Sequence, residues 1–265
     1  MGKMKKAMFY TVGFILLSSI LLALAVIIAK TSIDKLDTIS KISALDRSDE
    51  LVISIQDGFV KIFKSKSGIT VASGDSVSFR EDLPNENNAI FNNYLDNYKE
   101  FIDSKNLSIS LNINELKTNL PLRIMPNNIE YKHLPFEDAK IVITAQSSNF
   151  DGYSLEVTST SQTIDCVITG SAQTVYLKTH VVGVGDECTT NTGSEVRVNG
   201  QDQTPIATFQ INGDDLIIKS YTQINIKTSI DNLDDLGKKT IQFPDSLIYL
   251  NYSDFNIVKN TTVKL

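Results

Sequence analysis

The chain has 265 residues, 42% of them hydrophobic, and a formal net charge of −6. That apolar fraction can fill a core, and 6 Pro with 13 Gly is too few for a disordered or collagen-like chain. Lys3, Lys5 and Lys6 give the first residues +3, while the other 22 basic residues face 31 acidic ones, so everything from Ala7 onward carries −9. An exterior that acidic has no electrostatic footprint for nucleic acid or anionic lipid headgroups, and neither is expected as a partner.

From Ala7 to Ala29 there are 23 consecutive residues without a charge. As a helix this segment is about 35 Å long, enough to cross a hydrocarbon core of about 30 Å. A lone segment in lipid must satisfy its backbone hydrogen bonds internally, which requires a helix. The three lysines assign its N-terminal end to the cytoplasm, and Phe9 and Tyr10 stand where an interfacial aromatic pair is expected. A cleaved secretory signal is the competing reading, because Ala23-Leu24-Ala25 has the small-x-small form of a signal peptidase site. Against cleavage, the apolar run continues through Val26-Ile27-Ile28. Both readings put the rest of the chain outside the cytoplasm.

Lys5-Lys6-Ala7, followed at once by an apolar helix, resembles the class III signal of archaeal type IV pilins and related surface-filament proteins. The resemblance covers about the first thirty residues. It implies that a dedicated peptidase cuts between Ala7 and Met8, and that the helix first anchors the subunit and then forms the filament core. The chain departs from that pattern in carrying Phe9 where a smaller aliphatic residue is preferred. It also lacks the Glu that bacterial pilins carry near the fifth mature position. Ser19 with Ala23, and Ala25 with Ala29, stand four apart and would permit close helix packing, although small residues are common in any membrane helix.

Residues 30–48 read as a stalk. Ile33, Leu36, Ile39, Ile42 and Leu45 recur every third position, which on an α-helix turns by about 60° per step and makes a wide winding stripe. A helical extension of the anchor is expected there. Over 49–105 the pattern predicts a small α+β segment. Val52, Ile55, Phe59, Ile62 and Phe63 follow helical spacing, with Asp49 and Glu50 in a first turn and Gly68 as the stop. A hairpin around Ser73-Gly74-Asp75 follows, then a second helix from about Asn87 to Ser104.

Beyond residue 105 the period changes to two, beginning with Leu107, Ile109, Leu111 and Ile113. Strands are expected at 139–145, 153–159, 164–169, 174–182, 194–198, 205–211, 215–220, 222–228, 239–243, 247–252 and 255–258. Asn199-Gly200 and Asn212-Gly213 mark turns, and one helical turn is expected from Asp231 to Leu236, closed by Gly237. Many short strands with turns between them describe an antiparallel, sandwich-like β head over 106–265.

The chemistry-bearing residues are few. Cys166 and Cys188 are the only cysteines, and in an oxidising exterior they are expected to pair, Cys188 from a polar loop. Neither histidine, His133 or His180, belongs to a metal or nucleophile motif, and both read as surface or strand-edge residues. Gly183-Val184-Gly185 lacks the third glycine and following helix of a dinucleotide site and reads as a loop. Asp214-Asp215 does not match an EF-hand and reads as part of a turn, while Asp231 reads as a helix cap. Asn106, Asn251 and Asn260 open glycosylation sequons, which a chain this rich in Asn, Ser and Thr acquires by composition alone.

The sequence therefore describes one N-terminal transmembrane helix (7–29) after a cytoplasmic basic leader (1–6), a stalk, an extracytoplasmic α+β segment and a mainly antiparallel β head. The expected role is structural or adhesive, as a pilin-like filament subunit that meets the bilayer through 7–29 and later meets copies of itself. An anchored glycan- or protein-binding module that does not polymerise is the alternative, and a tethered hydrolase a more distant one. No cofactor, metal or enzyme activity is expected, and the residues name no extracellular ligand.

Overall fold

The computed structural model describes residues 2–73, 77–105, 109–134, 140–146, 150–170, 174–191, 193–233, 236, 238–243, 248–252, 257–261 and 263–265. The chain divides into two compact units, Met1–Ser54 and Ile55–Leu265, and the division falls inside a single long helix, α1 (Gly2–Lys66).

α1 joins what the sequence divides into anchor, stalk and first helix of the α+β segment. No helix start occurs at Asp49, because no proline precedes Pro84 and nothing in the intervening residues interrupts the i→i−4 ladder. The helix stops where expected: Gly68 adopts φ +72°, a left-handed conformation that glycine takes without a Cβ penalty. Among the described residues α1 is the one helix long and apolar enough to cross a membrane. From Phe14 to Ile28 its described apolar side chains are exposed, Phe14 and Leu22 each at 71%, whereas Val52, near the end of the first unit, is buried. The exposure continues through Ile33, Leu36, Ile39, Ile42 and Leu45.

In the second unit, α1 buries Ile55, Phe59 and Phe63, while Ile62 is half-buried. The chain then forms β1 (Thr70–Ser73), β2 (Val77–Leu83), α2 (Asn87–Ser104), β3 (Ile109–Leu111), α3 (Asn114–Asn119), β4 (Leu122–Met125), β5 (Ile129–Leu134) and β6 (Lys140–Ala145). It continues through β7 (Gly152–Ser159), β8 (Asp165–Thr169), β9 (Tyr176–Val182), β10 (Glu187–Thr190), β11 (Glu195–Asn199), β12 (Pro205–Asn212) and β13 (Asp215–Ser220). β14 (Ile224–Asp231), β15 (Thr240–Gln242), β16 (Ile248–Tyr252) and β17 (Ile257–Thr261) complete it. α2 keeps the bounds expected from sequence and buries Phe91, Leu95 and Ile102.

Among the described residues the strands form a six-stranded sheet (β1-β2-β14-β7-β9-β10), an eight-stranded sheet (β15-β4-β5-β6-β13-β12-β11-β8) and a three-stranded sheet (β17-β16-β3). Pairing is antiparallel except between β7 and β9, which run parallel because the intervening β8 belongs to the other large sheet. One face of each central strand is buried. β2 alternates Val77, Phe79, Glu81 and Leu83 inward, and β14 alternates Ile224, Ile226, Thr228 and Ile230. Side chains of the two large sheets meet: Phe79 of β2 stacks on Tyr131 of β5 with centroids 4.7 Å apart, and the Tyr153 hydroxyl of β7 donates to the Ile143 carbonyl of β6 at 3.2 Å.

β2 hydrogen-bonds along its length to β14, so the six-stranded sheet draws on residues from both sides of position 105. Several expectations are corrected. β4, β5, β10 and α3 are additional elements. The turn after β11 is not made at Asn199-Gly200. Gly200 is extended, and the positive φ values fall on Asp202 and Gln203 in a single 3₁₀ turn. At Asn212-Gly213 the expected tight turn is present, with Gly213 at φ +64°. Asp231 ends β14 and so does not cap a helix; positions 234, 235 and 237 of the expected helical turn lie outside the described residues, as do 74–76 of the first hairpin.

Candidate functional site

Two features stand out from ordinary core and surface. The first is α1 in the unit Met1–Ser54, whose exposed apolar side chains are described above. The second is a buried polar cluster that links the two large sheets.

Glu81 projects from β2 into the face otherwise filled by Val77, Phe79 and Leu83. From β5, Tyr131 donates its hydroxyl proton to Glu81 Oε1, and His133 Nδ1 lies 2.9 Å from Oε2. All three are at most 3% exposed. His133 is therefore not the surface residue its sequence context suggests. Alternation along Ile129, Tyr131 and His133 carries it inward, and the carboxylate satisfies it there. When Glu81 is ionised both its oxygens accept, and the contact then requires the Nδ1–H form of His133. Burial, then the neighbouring Glu81 carboxylate, raises the Tyr131 phenol well above its ordinary value. Closed to solvent on this scale, the cluster is architecture and not a substrate site.

Three further tyrosines share this behaviour, Tyr98 among them, raised by burial and then by Asp57. Burial raises Tyr153, reinforced by Asp215 and Asp214, and its hydroxyl also donates to the Asp214 carbonyl at 2.6 Å. Tyr176 donates to Asp231 Oδ2 at 2.9 Å and is pushed up to about 12, by burial first and by Asp231 second. A phenol whose folded value exceeds its unfolded value contributes fully below about pH 10, and that contribution is lost as the pH rises further. The melting temperature is therefore expected to hold up to about pH 9 and to fall steeply above pH 10, with ultraviolet absorbance recording phenolate formation together with unfolding. A melting temperature unchanged at pH 12 would contradict this assignment.

Of the acidic groups at Asp214-Asp215 and at Asp231, Asp234 and Asp235, two carboxylates have protein partners, and 234 and 235 lie outside the described residues. Asp231 accepts from Ser154 and Tyr176, and Asp215 Oδ1 accepts from Thr144 at 2.6 Å. Among the described residues no group of three His, Cys, Asp or Glu is placed to hold a metal ion. A shallow cleft beside β4 and β5 is lined by Glu115, Leu122, Arg123, Glu130 and Lys132. Burial alone would raise Glu130, but hydrogen bonds from Arg123 (2.9 Å) and Lys132 (3.3 Å) outweigh it and lower its value.

Cys166 and Cys188 are joined, with Cα atoms 6.2 Å apart. Cys188 lies in β10, at the edge of the six-stranded sheet, and not in a loop; Cys166 lies in β8, at the edge of the eight-stranded one. The bond thus ties the two sheets at one end. Closing 22 residues of sequence is worth about 3 kcal/mol in the chain-entropy account. Replacing both cysteines with Ser is expected to lower the unfolding free energy from urea titration by that amount without changing far-ultraviolet circular dichroism. A loss under about 0.5 kcal/mol would argue against a structural bond.

His180 is exposed on β9, its Nδ1 3.0 Å from Thr189 Oγ1. The Gly183–Gly185 loop is held by backbone bonds from Gly183 to Asp186 and from Val184 to Ser161, as a β9–β10 connection. Asn251 and Asn260 lie in the paired strands β16 and β17, whereas Asn106 lies outside the described residues. Ala7 and Met8 lie within α1. Compared with protein-family models, with curated proteins and with solved structures, the chain finds no match.

Proposed function

We propose that this chain is a membrane-anchored extracytoplasmic protein with a structural role, a pilin-like filament subunit carrying a sandwich-like β head. The observation that carries this reading is the geometry of α1. Lipid would cover Ala7–Ala29, but the exposed apolar side chains continue through Leu45. From Ile33 to Leu45 the stripe advances about 18 Å while turning through about 240°. One straight partner helix covers an arc of roughly 100°, so two or more neighbouring helices are needed to bury it. A bundle of copies supplies them, and an isolated tether does not. The three lysines before the apolar run support a cytoplasmic N-terminus, and the Cys166–Cys188 bond supports an oxidising compartment for the head.

Processing between Ala7 and Met8 would remove all three lysines and let the helix leave the bilayer lengthwise, replacing lipid with helix packing. Sequencing the native N-terminus and sedimenting sheared surface material tests this. A mature chain beginning at Met8 in a sedimentable fraction is expected. A chain that keeps its initiator end and stays in the membrane fraction would overturn the filament reading, leaving the anchored binding module.

A further inference from the structure

β8 has one strand partner among the described residues, β11, and forms the end of the eight-stranded sheet. Among the described residues its other edge hydrogen-bonds to no strand, with β10 close by at Cys166–Cys188, and none of the turn and loop backbone hydrogen bonds involves residues 165–169. Val167 and Ile168 are 37% and 47% exposed, on opposite faces of the strand. Ile168 shares its face with Cys166 and with the buried Val196 and Val198 of β11, and Val167 shares the other face with Arg197. The usual guards of a free edge are missing, since Asp165-Cys166-Val167-Ile168-Thr169 contains no Lys, Pro or bulge. The other edge of the same sheet, β15, offers only three residues and is bridged through Gln242 to Lys264. β8 is also held in place in advance by Cys166–Cys188, so a docking strand need not order it.

We propose that β8 is a docking edge for β8 of a second copy, paired antiparallel about Val167. The register carries the choice of occupant. Centring five residues on Val167 sets Val167 opposite its own counterpart, Cys166 opposite Ile168 and Asp165 opposite Thr169. Branched aliphatics then meet, and the single charge of the strand faces a hydroxyl and not another carboxylate. The contact is isologous and closes as a two-fold dimer with about four to six new backbone hydrogen bonds. The two eight-stranded sheets become one continuous sheet, and Ile168 loses its exposure. Because α1 takes no part, this pairing stands or falls separately from the filament reading.

The test is Val167→Cys in the full-length protein in its native membrane under mild oxidation, with Val184→Cys, which is 64% exposed on the β9–β10 connection, as the collision control. At least tenfold more disulfide-linked dimer is expected from Val167→Cys, mapping to 167–167 with 166–188 intact. Dimer no greater than the control, or an adduct with a different protein, would overturn the proposal. Should the new thiol pair with Cys188 instead, sedimentation of detergent-solubilised protein decides. Wild type is expected as a dimer and Ile168→Lys as a monomer that retains 166–188. A monomeric wild type, or a dimer indifferent to Ile168→Lys, would refute the pairing.

Discussion

Glu81→Ala is expected to destabilise the β body by about 3–5 kcal/mol, the sum of a core truncation and two buried polar groups left unsatisfied. The substitution opens a cavity and leaves the Tyr131 hydroxyl and His133 Nδ1 without their acceptor in a region at most 3% exposed. Glu81→Gln keeps the volume and one acceptor and is expected to cost less than half as much. Replacing the whole set, as Glu81→Leu, Tyr131→Phe and His133→Leu, should recover most of the loss, because nothing unpaired then stays buried. Urea midpoints of the four proteins, with far-ultraviolet circular dichroism as the folding check, decide the matter. A triple variant no more stable than Glu81→Ala would show that the cluster acts through shape and not through its hydrogen bonds.

Phe63→Ala is expected to cost a similar 3–5 kcal/mol, by a different mechanism. Phe63 comes from α1 and meets edge-on the rings of Phe91 from α2 (6.3 Å between centroids) and Phe243 from the segment after β15 (5.3 Å). One truncation therefore leaves a cavity shared by three parts of the chain that are remote in sequence. Hydrogen exchange should show α2 losing protection first, since Phe91 and Leu95 are its central buried residues. Tyr94→Ala, on the exposed side of α2, should stay within about 0.5 kcal/mol. Equal losses at the two positions would mean that α2 is not held by the ring cluster.

What the sequence disclosed follows from which physical signals are local. The period-three stripe of α1, its stop at Gly68 and the bounds of α2 could be read because helical periodicity and stop residues act over a few positions. Most strands beyond residue 139 could be read from alternation. β4 and β5 alternate as cleanly, but Pro121 and Pro126 flank them and read as breaks. β10, Glu187-Cys188-Thr189-Thr190, has no aliphatic or aromatic side chain to alternate and becomes a strand through its pairing with β9. α3 is six residues long, too short to display a period. The buried cluster was invisible for a related reason. Glu81 and His133 stand 52 residues apart and meet only when two sheets face each other, which no local pattern encodes.

The pairing of β2 with β14 has a consequence for how the protein is made. A hydrogen bond from Asn225 to Asp82 joins positions 143 residues apart, and β14 also supplies the link from β2 to β7. The hairpin of β1 and β2 therefore leaves the ribosome well before the strand that completes its sheet. Until residue 231 has emerged, the edge of β2 and the apolar residues Val77, Phe79 and Leu83 have no sheet to enter. Non-local closure of this kind slows folding and prolongs exposure of an unpaired edge. Delivery of the last third of the chain thus sets the earliest moment at which the six-stranded sheet can exist, and a stalled or truncated chain would present β2 as an open template for aggregation.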